Sequence, residues 1–113
     1  MTIWERVKNA LTPLAVPLAQ NQYQVENSEY PDLYLVYSIP AAIGVEYADD
    51  EEKGRNFLVM VNAFSRSGLV SLPDVKSAMK TAGFTPSTER ELAFNETTGH
   101  YGWSMDFYWL EDL

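Results

Sequence analysis

Apolar residues recur at helical spacing from the start of the chain, with Ile3, Val7, Ala10 and Leu11 falling on one face. Thr2 and Glu5 form a capping box ahead of them. The Thr hydroxyl accepts from a first-turn amide, and the Glu carboxylate reaches back to the cap. The spacing predicts a short amphipathic helix over 3–11 that covers a sheet and is stopped by Pro13 and Pro17. A loop through Leu18 and Asn21 leads to Tyr23 and Val25, which read as a short strand. Tyr30-Pro31-Asp32 reads as a turn. Residues 33–39 then form a strand bounded by Pro40, and 41–47 a second extended piece.

Residues 57–64 are the most continuous apolar run, broken only by Asn62. Apolar side chains at both parities predict a central strand covered on both sides. A second helix opens at Ser71, with Asp74 three positions on and Pro73 tolerated in its first turn. Val75, Ala78, Met79 and Ala82 form its buried stripe, and Gly83-Phe84 reads as a left-handed cap with a hydrophobic clasp. The last third reads as a long hairpin. Leu92 and Phe94 alternate with polar neighbours, 95–99 turn, and 100–110 form the clearest strand. Tyr101, Trp103, Met105, Phe107 and Trp109 point one way, and His100, Gly102, Ser104 and Asp106 the other. At about 3.3 Å per residue this strand outruns a small core. Its central three aromatic-face residues belong to the core, and the rest of that face is available to another subunit. The elements make an α+β fold: two α-helices packed on a mixed, mainly antiparallel β-sheet of four to six strands.

A length of 113 residues fits one domain, here 1–113, and a hydrophobic fraction of 46% fits a folded one. The net charge of -8 argues against nonspecific binding to nucleic acid or an anionic membrane. Its distribution is more informative than its sum. Residues 1–52 hold nine acids and two bases, and within 26–52 there are eight acids and no base. Residues 53–113 are nearly balanced. No apolar stretch reaches the roughly 18 residues of a membrane helix, and the N-terminus does not read as a signal peptide.

Catalytic chemistry finds little to work with. The chain has no Cys, hence no disulfide, no thiolate and no cysteine metal site. His100 is the only histidine, and such a residue is more often a surface or hydrogen-bonded one than a catalyst. Nucleophile-elbow, zinc-protease, phosphate-loop and dinucleotide motifs do not occur. Ser65, Ser67 and Ser71 read as loop serines without a base. The run Asp49-Asp50-Glu51-Glu52-Lys53-Gly54 lacks the alternate oxygens, central glycine and distal Glu of a calcium loop, so it reads as a solvated loop tip. No enzyme activity, cofactor or metal is expected.

In order and spacing the pieces resemble the tail-terminator, or tail-completion, proteins of long-tailed bacteriophages and prophages. The likeness runs over about 100 residues. It includes the short first helix, Tyr30-Pro31 before Leu35-Val36-Tyr37, and Tyr47-Ala48-Asp49-Asp50-Glu51 before Val59-x-Val61-x-x-Phe64-Ser65. Ala82-Gly83-Phe84 follows, then Asn95-Glu96-Thr97-Thr98-Gly99 and an aromatic strand through Phe107. One departure is His100-Tyr101, where the family pattern has an aromatic followed by His.

The resemblance implies a structural virion protein that forms a ring, typically a hexamer. Such a ring caps the completed tail tube and joins it to the head through a DNA-passing lumen. Its partners are then other copies of the chain, the tail-tube protein and a head-completion or connector protein. DNA passes without specific binding, no membrane is involved, and the site of action is the virion after assembly in the host cytoplasm. A lumen that passes DNA should repel phosphates, which agrees with the acidic first half. Ring contacts are heterologous and need two different edges. The candidate interface or lumen residues are Tyr47, Asp49, Asp50, Glu51, Glu52, Lys53 and Arg55 in loop 47–55, and Trp109 near the end of the long strand. Other readings are another head-tail connector or minor tail component, an acidic DNA-mimic inhibitor, and a small hydrolase. Acids in loops rather than along helices disfavour the mimic, and the missing catalytic groups disfavour the hydrolase.

Overall fold

A computed structural model describes residues 2–21, 30–45 and 54–112 of the chain. Helix α1 (Ile3–Leu11) begins at the predicted capping box. The Thr2 hydroxyl accepts from the Glu5 amide at 3.2 Å, and the Glu5 carboxylate accepts from the Thr2 amide at 3.5 Å. A 3-10 turn (Thr12–Leu14) ends it at Pro13. The sheet comprises β1 (Leu18–Gln20), β2 (Leu33–Val45), β3 (Gly54–Ser65), β4 (Thr85–Asn95) and β5 (His100–Asp112), in the order β1-β2-β3-β5-β4. Only β1 with β2 is parallel; every other pairing is antiparallel. Helix α2 (Val75–Thr81) lies between β3 and β4, capped by the Asp74 carboxylate on the Ser77 amide at 3.1 Å. This is the α+β architecture read from the sequence.

Both helices pack on one face of the sheet. Ile3, Val7, Ala10 and Leu11 of α1 and Val75 and Met79 of α2 meet Leu35, Tyr37, Val59, Val61, Ala63, Met105 and Phe107. Alternation along each strand puts these sheet residues on a single face. Strand β3 is central, as expected, but among the described residues no helix covers its second face. There Leu58, Met60, Asn62 and Phe64 are only half-buried. The apolar residues of that parity shield one another across the strands: Tyr34 stacks on Phe64 with ring centroids 4.9 Å apart.

Several boundaries differ from the sequence reading, each for a tertiary reason. Leu18–Gln20 is a strand and not a loop, because it pairs with Leu35, Val36 and Tyr37, a partner no local signal names. Pro40 does not end β2. It falls in the register shift between Ser38 and Ala41, where the missing N–H is tolerated, and β2 runs on to Val45. Gly54 is the first residue of β3 rather than part of a turn. The helix expected from Ser71 is a 3-10 turn (Leu69–Ser71) followed by α2, whose cap is Asp74. Of its expected stripe, Val75 and Met79 are buried, whereas Ala82 is exposed beyond the last turn. Gly83 has the predicted left-handed conformation (φ 101°), and Phe84 behind it is buried. Strand β4 begins at Thr85, far earlier than Leu92, and β5 continues to Asp112. Ser65 ends β3 and is buried, with its hydroxyl accepting from the Ser67 amide at 3.1 Å. The strand read at Tyr23 and Val25 lies outside the described residues.

Candidate functional site

The sheet is much longer than its helical cover. At about 3.3 Å per residue the 13 residues of β5 span about 43 Å, against about 14 Å for the nine of α1. Among the described residues, the core cluster with the residues packed around it reaches Phe57 on β3 and Trp109 on β5. Beyond it β2, β3 and β5 continue as a three-stranded arm. Its rungs are Ile43–Asn56–Leu110, Gly44–Arg55–Glu111 and Val45–Gly54–Asp112. The chain leaves the arm at Val45 and returns at Gly54. Tyr47, Asp49, Asp50, Glu51, Glu52 and Lys53 fall between these paired ends and lie outside the described residues. Arg55 sits on β3 opposite Glu111.

Trp109 is placed at the junction of core and arm. Its ring lies 4.9 Å from Phe84, and the Arg6 guanidinium stands 4.8 Å over it. A Cβ on Gly83 would come within 3.0 Å of its Cζ3, so the left-handed glycine also makes room for the indole. Beyond this junction Leu110 is 54% accessible, and Tyr108, one residue before the junction, is 36% accessible, both on the face away from the helices.

That same face carries a row of polar atoms. Asn62 and Ser104 are cross-strand neighbours, and Asp106 follows two residues on. Asn62 Oδ1, Ser104 Oγ and Asp106 Oδ1 are buried without a hydrogen-bond partner. The other Asp106 oxygen accepts from Arg90 at 3.2 Å. Buried acceptors of this kind normally find a donor.

His100 is buried, not at the surface, and it is hydrogen-bonded as a lone histidine commonly is. One ring nitrogen is 2.7 Å from Thr98 Oγ1 and the other 2.7 Å from the Pro31 carbonyl. Tyr34 meets the ring edge-on at 5.1 Å, and Tyr30 at 6.1 Å. Both nitrogens are occupied, which fits a structural pin better than a base. Arg66 ties the same end together, donating to the Tyr30 and Thr98 carbonyls and to Asp32 at 2.8–3.0 Å. Sequence reasoning missed this clamp, because its partners stand 32 to 36 residues away.

Two groups titrate away from their ordinary values. Burial against α1 pushes the Tyr37 hydroxyl up, and the Ser77 amide, with its hydroxyl and Lys76, holds Asp74 down. A groove of about 410 Å³ opens beside Leu72, Val75, Trp103 and Met105, with Lys76 and Glu89 at its rim 3.9 Å apart. Among the described residues no three acidic or histidine side chains converge on a metal position, and no helix is long and apolar enough to cross a membrane. No protein-family model matches the chain, and no curated protein matches it.

Proposed function

We propose that this protein is a ring-forming structural subunit of a phage or prophage tail, which caps the completed tube and joins it to the head. The observation that carries the subunit reading is the three-stranded arm, which no helix covers among the described residues. It continues past the core, exposes Leu110, and runs to the segment in which four consecutive acids stand between β2 and β3 in the sequence. A monomeric domain gains nothing from unshielded apolar strand beyond its core, whereas a ring subunit needs such a surface. The phage context rests on the resemblance, with which the α+β fold agrees.

In this reading the ring consists of copies of this chain, six in the family pattern, set between tail-tube and head-completion proteins. The acidic run faces the lumen or the docking surface, where it repels the phosphate backbone and keeps DNA moving. Reversing Asp49, Asp50, Glu51 and Glu52 together to lysine should then slow ejection or block joining. Unchanged joining and ejection would remove the acids from the account. A DNA mimic is less well supported, since α1 carries Arg6 and Lys8 beside Glu5, and α2 carries Lys76 and Lys80. The reading as a whole is tested by sequencing the DNA on either side of the gene. Head-completion genes on one side and a tail-tube gene on the other are expected. Metabolic or regulatory neighbours would overturn the tail assignment.

A further inference from the structure

Most of the described basic side chains are either paired or solvated. Arg66, Lys76 and Arg90 stand 2.8, 3.9 and 3.2 Å from the carboxylates of Asp32, Glu89 and Asp106. Lys8 and Lys80 are exposed to water. Arg6 belongs to neither group. It is half-buried, its guanidinium lies 4.8 Å over the Trp109 ring, and among the described residues no carboxylate pairs with it.

Two donors at this place lack an acceptor. Arg6 Nε and Trp109 Nε1 are buried without a hydrogen-bond partner. Both groups only donate, so neither can serve the other. Buried N–H groups normally find an acceptor. Trp109 Cζ3 is the atom that a Cβ on Gly83 would meet at 3.0 Å, and Nε1 lies across the indole from it. The N–H corner therefore turns away from Gly83 and the end of α2. What the pair lacks is an acceptor, and beside a guanidinium the strongest acceptor is a carboxylate.

We propose that Arg6 and Trp109 receive a carboxylate from a neighbouring copy of this chain, supplied by its acidic run Asp49-Asp50-Glu51-Glu52. The receptor stands at the base of the arm, on the rung of Phe57 and Trp109. The run falls in the sequence between Val45 and Gly54, the paired ends of the arm. The two halves of the contact are different parts of the subunit, as a heterologous ring contact requires. Charge selects this occupant. The chain holds sixteen acids against eight bases, and residues 26–52 hold eight acids and no base. Four consecutive carboxylates also give the guanidinium several positions to meet. An Arg–carboxylate contact on an indole face fixes which surface meets which. The inference rests on the ring reading and deepens it by naming two surfaces that close the ring.

Charge exchange tests the contact. Self-association in sedimentation and capping of isolated tail tubes are measured for four proteins, each checked for its fold by circular dichroism. They are the parent, Arg6→Glu, the quadruple variant with Asp49, Asp50, Glu51 and Glu52 changed to lysine, and the two combined. Each set alone should weaken association by about tenfold or more, and the combination should restore most of it. A second readout leaves Arg6 intact. The Trp109 indole N–H resonance, assigned through Trp109→Phe, should move downfield as parent subunits associate and stay in place in the quadruple variant. Arg6→Glu associating like the parent, or a combination no better than the weaker single set, overturns the contact. A Trp109 signal already shifted in dilute subunits, which means an acceptor from the same chain, also overturns it. So does a signal that inorganic phosphate shifts without association. Tubes capped normally by Arg6→Glu would leave the tail function standing while removing this contact. A parent that neither associates nor caps tubes would overturn the ring reading and the contact with it.

Discussion

The covered half of the sheet and its bare arm are made from the same three strands, yet they are stabilised differently. In the covered half, alternation sends Val59, Val61, Met105 and Phe107 against two helices, and burial of apolar surface holds the strands. Among the described residues the arm has the same ladder without a second layer, and its outward residues include Leu110. An isolated stretch of ladder is marginal in water. The covered half is therefore held by its own core, and in the ring proposed above a neighbouring copy completes the arm.

The sharpest way to break this contrast is to damage each side in turn. Phe107→Ala removes a 1% exposed ring from the core and should cost about 3–5 kcal/mol, read by urea unfolding. His100→Ala should cost about 2–3 kcal/mol, because it removes the buried ring that holds the partly buried Pro31 carbonyl and opens the aromatic cluster. Leu110→Ala should change the stability of the single chain by less than about 0.5 kcal/mol while weakening self-association in sedimentation. A large loss of monomer stability there would mean that the arm is part of the core after all.

The smallest effect concerns acid. The Asp74 carboxyl titrates below its ordinary value of 3.8 because the folded chain supplies the Ser77 hydrogen bonds. A depressed folded-state value gives stability that is present above the ordinary one and lost as pH falls through the folded one. Asp74→Asn keeps a capping side chain but cannot titrate, so its melting temperature should fall less steeply than that of the parent below about pH 4. Equal slopes would show that the cap contributes nothing in that range.

The parts that the sequence made legible are those fixed by local periodicity. Helix α1 has its expected bounds, because the capping box and the stripe at 3, 7, 10 and 11 agree. Strand β5 was visible as too long for its core, since period-two alternation persists through eleven residues. What escaped depends on partners distant in sequence. Leu18–Gln20 becomes a strand only through β2, and Pro40 is accommodated by a bulge that only the ladder reveals. The early residues of β4, with Pro86 and three charges, look unlike a strand because they form an edge. Of the candidate interface residues, Trp109 stands out in the sequence by its place near the strand end. Its contacts with Phe84 and Arg6 could not be read, as they join three elements.

The claim that joins fold to function is that this chain caps a tail and links it to a head. Deleting its gene from the source phage or prophage and viewing the lysate by electron microscopy tests it most directly. The account predicts DNA-filled heads without tails beside free tubes of uncontrolled length, with normal particles restored when the gene is supplied in trans. Normal numbers of joined, full-length particles in the deletion strain would contradict it.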